Sequence, residues 1–161
     1  MLRGRFGDTS GRPYLEGRLV LPSSGIETDI SWCVDTGADR SVLLPSDAAR
    51  MGVDYAALTR ETESVGVGGI SHDYLDRAVL VFSEANRYLY VYFIDLMITA
   101  PSPEITDLPS LLGRDILHRW RISYNFATKR LVFYVLSADV VIPLVETPPS
   151  TLSVAAAPLL P

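Results

Sequence analysis

Apolar and polar residues alternate through Tyr14 to Leu21 (YLEGRLVL), and Pro22 with the Ser-Ser-Gly after it closes the run. Alternation with period two, ended by turn formers, predicts a strand with one buried face. Glu27 to Val34 (ETDISWCV) puts Ile30, Trp32 and Val34 on one face of a second strand, which runs directly into Asp35-Thr36-Gly37. Val79 to Phe82 and Tyr88 to Ile98 are dense in β-branched and aromatic residues, which suit a pleated, half-buried surface. Glu84-Ala85-Asn86 supplies the turn between them. Ile122 to Phe126 and Arg130 to Leu136 pair as a hairpin around Ala127-Thr128-Lys129. Glu61 to Leu75 (ETESVGVGGISHDYL) sets glycines between two strand-like arms, the pattern of a mobile hairpin.

Helical signals are few. Ser46 as a cap and Gly52 as a stop predict a short helical turn within Ser46 to Leu58. Leu112 to Trp120 (LGRDILHRW) is the best helix candidate. Pro101 to Pro109 is a proline-bearing loop, and from Pro143 the chain turns to proline and alanine. The expected organisation is one folded domain over 1–143 and a Pro/Ala-rich tail over 144–161. The expected fold is all-β, in closed or sandwiched sheets, with one short C-terminal helix.

Composition narrows the function classes. The 161 residues suit one domain, and 48% hydrophobic with 20% charged residues is a globular balance. Fourteen Lys+Arg against nineteen Asp+Glu give a formal charge of −5, which disfavours a broadly basic surface, so no nucleic-acid partner is expected. Cys33 is the only cysteine, which excludes an internal disulfide and a multi-cysteine metal site. His72 and His118 lack ligand spacing, so no metal is expected. No run reaches the roughly eighteen apolar residues of a membrane span. The N-terminal MLRGRFGDTSGR lacks the apolar core of a signal peptide. No membrane association is expected, and the expected location is the cytoplasm.

The candidate chemistry lies in CVDTGADRSVL, Cys33 to Leu43. Alone, Asp-Thr-Gly is an ordinary turn, with Asp capping it and Gly taking positive φ. Here it follows an apolar strand and precedes Val42-Leu43-Leu44, a setting expected to bury the turn and hold the carboxylate rigidly. Far downstream, Leu111-Leu112-Gly113-Arg114-Asp115 repeats the order of apolar pair, glycine and helix, and the glycine-rich hairpin lies between the two.

These features, in this order, resemble the retroviral-type aspartic proteases, the retropepsins. The resemblance runs from about Arg12 to Val135 and is carried by VDTGADRSVL, VGVGGI and LLGRDIL, with Arg12-Pro13 similar to the Arg-Pro that opens the first strand of the retroviral enzymes. It implies the closed acid-protease β fold as a single lobe completed by homodimerisation. It also implies an aspartic endopeptidase acting on a peptide or protein substrate with no metal or organic cofactor. Asp35, Thr36 and Gly37 take the catalytic positions. The chain has one such triplet, so a pair of aspartates requires two copies of Asp35. Thr36 is implied to hydrogen-bond across the dimer axis, and the Gly37 carbonyl to touch substrate.

The substrate-binding positions implied by the resemblance are Ala38, Asp39, Val42, Gly66, Val67, Gly68, Ile70 and Leu111. Asp39 would receive substrate backbone while paired with Arg114 of its own chain. Arg12 would reach the other subunit's Asp39, the plain alternative being an exposed surface charge. Val67 and Gly68 form the tip of a flap, with the Val67 amide holding a water. Val42, Leu111 and Ile70, with Pro109 nearby, would line pockets that favour hydrophobic side chains beside the cleaved bond. The alternative function is a weak or inactive peptide-binding or dimerisation module on the same scaffold.

The chain departs from the compact retroviral pattern in three ways. Asp35 and Gly113 are further apart, with extra residues in Ser46–Glu61 and Tyr88–Pro109. Arg40 stands where a second acidic residue is frequent. The chain after Val135 is longer, and Val140-Val141-Ile142 has a place in a dimer sheet of interleaved termini or is replaced by another device. Cys33 reads as a buried structural thiol, Trp32 and Trp120 as core anchors, and Tyr88, Tyr90 and Tyr92 as one packed or interfacial strand face.

Overall fold

The structure, a computed structural model, describes residues 1–66, 69–85, 87–102, 105 and 107–144, with backbone only for 64–66 and 69–72. The expected tail lies outside the described residues from 145 onward.

The first long hairpin joins β3 (Pro13–Leu21) to β4 (Ile26–Val34), from Tyr14 opposite Cys33 to Leu21 opposite Ile26. Alternation decides its faces: Leu15, Leu19 and Leu21 enter the core, while Glu16 and Arg18 face water. Position 17 falls on the buried face, where a Cβ would meet the Phe82 ring at 2.5 Å, so glycine fits there.

The longest strand pair is β7 (Gly69–Glu84) with β8 (Tyr88–Thr99). Two short strands complete a closed ring. Strand β5 (Val42–Leu43) runs parallel to β8, and β9 (Leu111–Leu112) runs parallel to β4 and antiparallel to β5. With β3 pairing to β7, the order β8-β5-β9-β4-β3-β7 returns to β8 as a six-stranded barrel. Strand β6 (Glu61–Gly66) extends β7 as the other arm of the glycine-rich hairpin, β2 (Arg5–Phe6) pairs with β3, and β12 (Val140–Pro143) pairs with the outer edge of β8. A separate sheet has the order β1 (Leu2–Arg3), β11 (Arg130–Val135), β10 (Trp120–Asn125).

The N-terminal strand β1 pairs with β11 and the last described strand β12 with β8, both within the chain. Val140-Val141-Ile142, which the resemblance allows a place in a dimer sheet, lies along Val91, Tyr90 and Leu89.

Aromatic side chains hold the two sheets together. Trp120 contacts Phe82, Tyr92 and Phe133 edge-on, at centroid distances of 5.0, 5.9 and 5.4 Å. Its indole N–H donates to the Tyr92 hydroxyl at 2.7 Å, and that hydroxyl donates to the Ser137 carbonyl. Trp32 and Trp120 are core anchors as expected. Tyr88, Tyr90 and Tyr92 share a face: Tyr92 is fully buried, Tyr90 is half-buried against the core, and Tyr88 is half-buried beside Tyr90.

Two short α-helices are described, besides a single 3₁₀ turn at Tyr55–Ala57. Helix α1 (Pro45–Met51) starts one residue before the expected cap: Leu44 is the N-cap and Pro45 the first helical residue, whose missing N–H has no intrahelical partner to lose. Ser46 Oγ instead donates to the Leu108 carbonyl. Gly52 ends α1 with φ of 74°, as its position predicts. Helix α2 (Arg114–Leu117) is shorter than the expected Leu112 to Trp120. Leu111-Leu112 is taken up in the barrel and Trp120 in β10, so tertiary pairing trims the helix at both ends.

Candidate active site

Strand β4 delivers Asp35 to one end of the barrel. Cys33 N–H donates to the Ser110 carbonyl at 2.8 Å and Asp35 N–H to the Leu112 carbonyl at 3.0 Å, so β9 fixes the strand up to the carboxylate. The chain then turns: Ala38 N–H donates to the Asp35 carbonyl, and Gly37 N–H donates to Asp35 Oδ1 at 2.8 Å. A Cβ on Gly37 would stand 3.1 Å from that same oxygen, so the missing side chain keeps the carboxylate approachable. Asp35 is half-buried, whereas Thr36 and Gly37 are exposed, so the apolar flanks anchor the two ends of the turn without burying it as expected.

Helix α2 closes against this turn. Arg114 N–H donates to the Ala38 carbonyl and Asp115 N–H to the Asp39 carbonyl. Two loop carbonyls thus satisfy N–H groups that a helix start leaves without intrahelical partners. The Arg114 guanidinium pairs with the Asp39 carboxylate, the intrachain partner that the resemblance implies.

Beneath the turn lies a connection that sequence reasoning missed. Ser41, fully buried, donates through Oγ to Asp115 Oδ1 at 2.8 Å and through N–H to Asp115 Oδ2 at 3.0 Å. Ser41 Oγ also accepts from Gly113 N–H at 3.1 Å. At Gly113 the two loops cross so closely that a Cβ would fall 2.3 Å from the carbonyl carbon and oxygen of Arg40. The sequence signal is one Ser and one Asp placed alike after two apolar-strand turns, which no local rule pairs.

A second carboxylate supports the outer loop. Ser110 Oγ donates to Asp47 Oδ2 at 2.7 Å and accepts from Leu44 N–H at 3.1 Å, tying the segment before β9 to α1. Leu111 lies directly beside Cys33 on one side and Val42 on the other, so the structure brings these residues together. Leu111 is partly exposed and Val42 is enclosed.

The glycine-rich hairpin stands two strands away. Val42 lies beside Met97 of β8, and Met97 beside Leu75 of β7, at the hairpin's root. Arg60 pairs with Asp95 at 2.7 Å, its carbonyl accepts from Leu75 N–H, and the Tyr55 hydroxyl donates to the Thr99 carbonyl at 3.1 Å. Gly66 and Ile70 are placed by backbone register on the two arms. Val67 and Gly68 lie outside the described residues.

Arg12 is exposed and makes no ion pair among the described residues. It stands near enough to Cys33 to favour the thiolate, but burial dominates and pushes the Cys33 thiol up, with Asp35 adding to the rise. That is the setting of a structural thiol. Among the described residues, no three His, Cys, Asp or Glu side chains stand together as a metal site, and no helix is long and apolar enough to cross a membrane.

No protein-family model matches the sequence, and no curated protein matches it significantly. Solved structures do match. A retropepsin-like aspartic protease from Rickettsia conorii aligns with 81% of this chain and 95% of its own, at 18% identity and a TM-score of 0.52. EIAV protease in complex with the inhibitor HBY-793 aligns with 70% of this chain and 90% of its own, at 21% identity and a TM-score of 0.44. The barrel, the tethered Asp-Thr-Gly turn and the first of these likenesses together show that the chain has the retropepsin-like fold.

Proposed function

We propose that the protein is an aspartic endopeptidase that works as a homodimer. The observation that supports this most is the Asp35 carboxylate. It is held by the Gly37 N–H at the open end of the barrel, beside exposed Thr36 and Gly37, on a lobe with one such triplet.

Two lobes related by a twofold axis through the turns bring two Asp35 carboxylates face to face. Like charges that close do not both ionise, so the pair holds one proton. The ionised carboxylate takes a proton from water as its oxygen attacks the peptide carbonyl carbon, while the protonated one donates to the carbonyl oxygen. As the tetrahedral diol collapses, the carboxyl that gained the water's proton gives it to the departing nitrogen, the other carboxylate takes a proton from a diol hydroxyl, the C–N bond breaks, and the dyad again holds one proton. The pair titrates as a unit.

Thr36 hydrogen-bonds across the axis in this reading, and the Gly37 carbonyl and Ala38 contact the substrate backbone. Asp39, oriented by Arg114, receives the peptide further out, and Arg12 reaches the partner subunit's Asp39. Gly66, Val67 and Gly68 close over the peptide. Val42, Ile70 and Leu111 favour hydrophobic side chains beside the cleaved bond.

The test is cleavage of a hydrophobic peptide pool across acid and neutral pH, with sedimentation of the same sample. Asp35→Asn is expected to abolish cleavage and leave the dimer and the far-UV spectrum unchanged. Full activity in that variant overturns the assignment.

A further inference from the structure

The sheet β1-β11-β10 turns Leu2, Leu131 and Phe133 into the core. Register sets its other face. Arg3 lies opposite Val132, which lies opposite Ser123; Arg121 lies opposite Tyr134, and Arg130 opposite Asn125. Directly opposed residues share a face, as do residues two apart in a strand. Arg3, Arg121 and Arg130 therefore project from one side, around Tyr134.

All three arginines are exposed, and the three strands contain no Asp or Glu. Arg5, Arg18, Arg50, Arg60, Arg87, Arg114 and Arg119 each have a carboxylate within ion-pair distance. Among the described residues, Arg3, Arg121 and Arg130 have none, as is true also of Arg12, Arg40 and Arg77, which lie outside these three strands. The Arg121 guanidinium lies 4.4 Å from the centre of the Tyr134 ring, and Arg130 Nη2 lies 3.5 Å from the Tyr134 hydroxyl. Three exposed cations without ion pairs thus gather on strands that carry no acid, in a chain whose formal charge is −5.

We propose that this face binds an acidic polypeptide segment, with Arg3, Arg121 and Arg130 receiving its carboxylates around the ring of Tyr134. The guanidinium fork matches a carboxylate in a bidentate manner, and Tyr134 supplies a flat, partly apolar platform between two of them. A nucleic acid fits less well, because it needs a basic surface several phosphates long, whereas three arginines match the few carboxylates of a short acidic segment.

The test uses the intact protein and a fluorescent peptide of alternating Glu and Ser, titrated by anisotropy at low ionic strength. A single-stranded oligodeoxynucleotide of equal charge runs in parallel. Saturable peptide binding that weakens with added salt is expected. It is expected to fall about tenfold or more in Arg3→Gln/Arg121→Gln/Arg130→Gln, to fall less in the corresponding triple Lys variant, which keeps the charge but not the fork, and to be unchanged in Arg18→Gln/Arg50→Gln. If the triple Gln variant does not fold, Arg121→Glu and Arg130→Glu as single exposed changes make the same comparison. No saturable binding, equal loss in the Arg18/Arg50 control, or tighter binding of the oligonucleotide overturns the proposal.

Discussion

The Ser41 hydroxyl sits between Asp115 Oδ1, to which it donates at 2.8 Å, and the Gly113 N–H, from which it accepts at 3.1 Å. Ser41 follows the Asp-Thr-Gly turn and Asp115 opens α2, so this pair locks together the two loops on which Asp35 depends. Asp115→Ala leaves both the buried Ser41 hydroxyl and its N–H without an acceptor. The expected loss is about 1–3 kcal/mol in urea unfolding, with a smaller loss for Asp115→Asn, which keeps one acceptor. Equal stability of Asp115→Ala and the wild type would show that the pair does not tie the loops.

Gly113→Ala places a methyl group 2.3 Å from the Arg40 carbonyl atoms, which are backbone and have no rotamer to change. Overpacking at rigid positions costs about 1–3 kcal/mol or more, so a marginal domain is expected to lose most of its soluble yield. A melting temperature within a degree or so of wild type is the contrary result.

Arg119 holds Asp139 with two guanidinium contacts, at 2.9 and 3.2 Å, and Phe93 N–H adds a third at 2.8 Å. The Arg119 hydrogen bond is the main reason that the Asp139 carboxyl lies below the usual carboxylate range. A folded-state value below the unfolded one stabilises above the ordinary carboxylate range. That stabilisation disappears as pH falls through the depressed folded value. Asp139→Asn is therefore expected to lower the urea midpoint at neutral pH and to lose less stability on acidification. A wild-type-like pH profile in the variant counts against this role.

In the proposed homodimer each lobe supplies half of the dyad. Specific activity should fall on dilution below the dimer dissociation constant, with an apparent order in protein approaching two. Sedimentation over the same range reads the dissociation directly. Constant specific activity from a species of monomer mass rejects the shared site.

Much of this molecule was legible along the chain. The arms Tyr14–Leu21 and Glu27–Val34 declared themselves because each buries one face against a common core, which writes period-two alternation into the sequence, and Tyr88–Ile98 did so by its density of β-branched and aromatic residues. Asp35 was legible because an apolar strand ends directly at a turn. The pairing of Asp39 with Arg114 came only through resemblance, since no spacing rule relates them. The expected helix from Leu112 to Trp120 came out too long because its apolar pattern serves two neighbouring strands as well as α2.

What the one-dimensional order decided is therefore the set of strands, the turn that carries Asp35 and the excess of acidic charge. Each follows from local periodicity or from composition. Tertiary structure alone decided that β9 inserts between β4 and β5, that Ser41 meets Asp115, and that Arg3, Arg121 and Arg130 share one face. Those relationships join residues tens of positions apart through register and loop crossing. Neither leaves a local periodicity, because backbone hydrogen bonds select partners by geometry and are blind to side-chain identity.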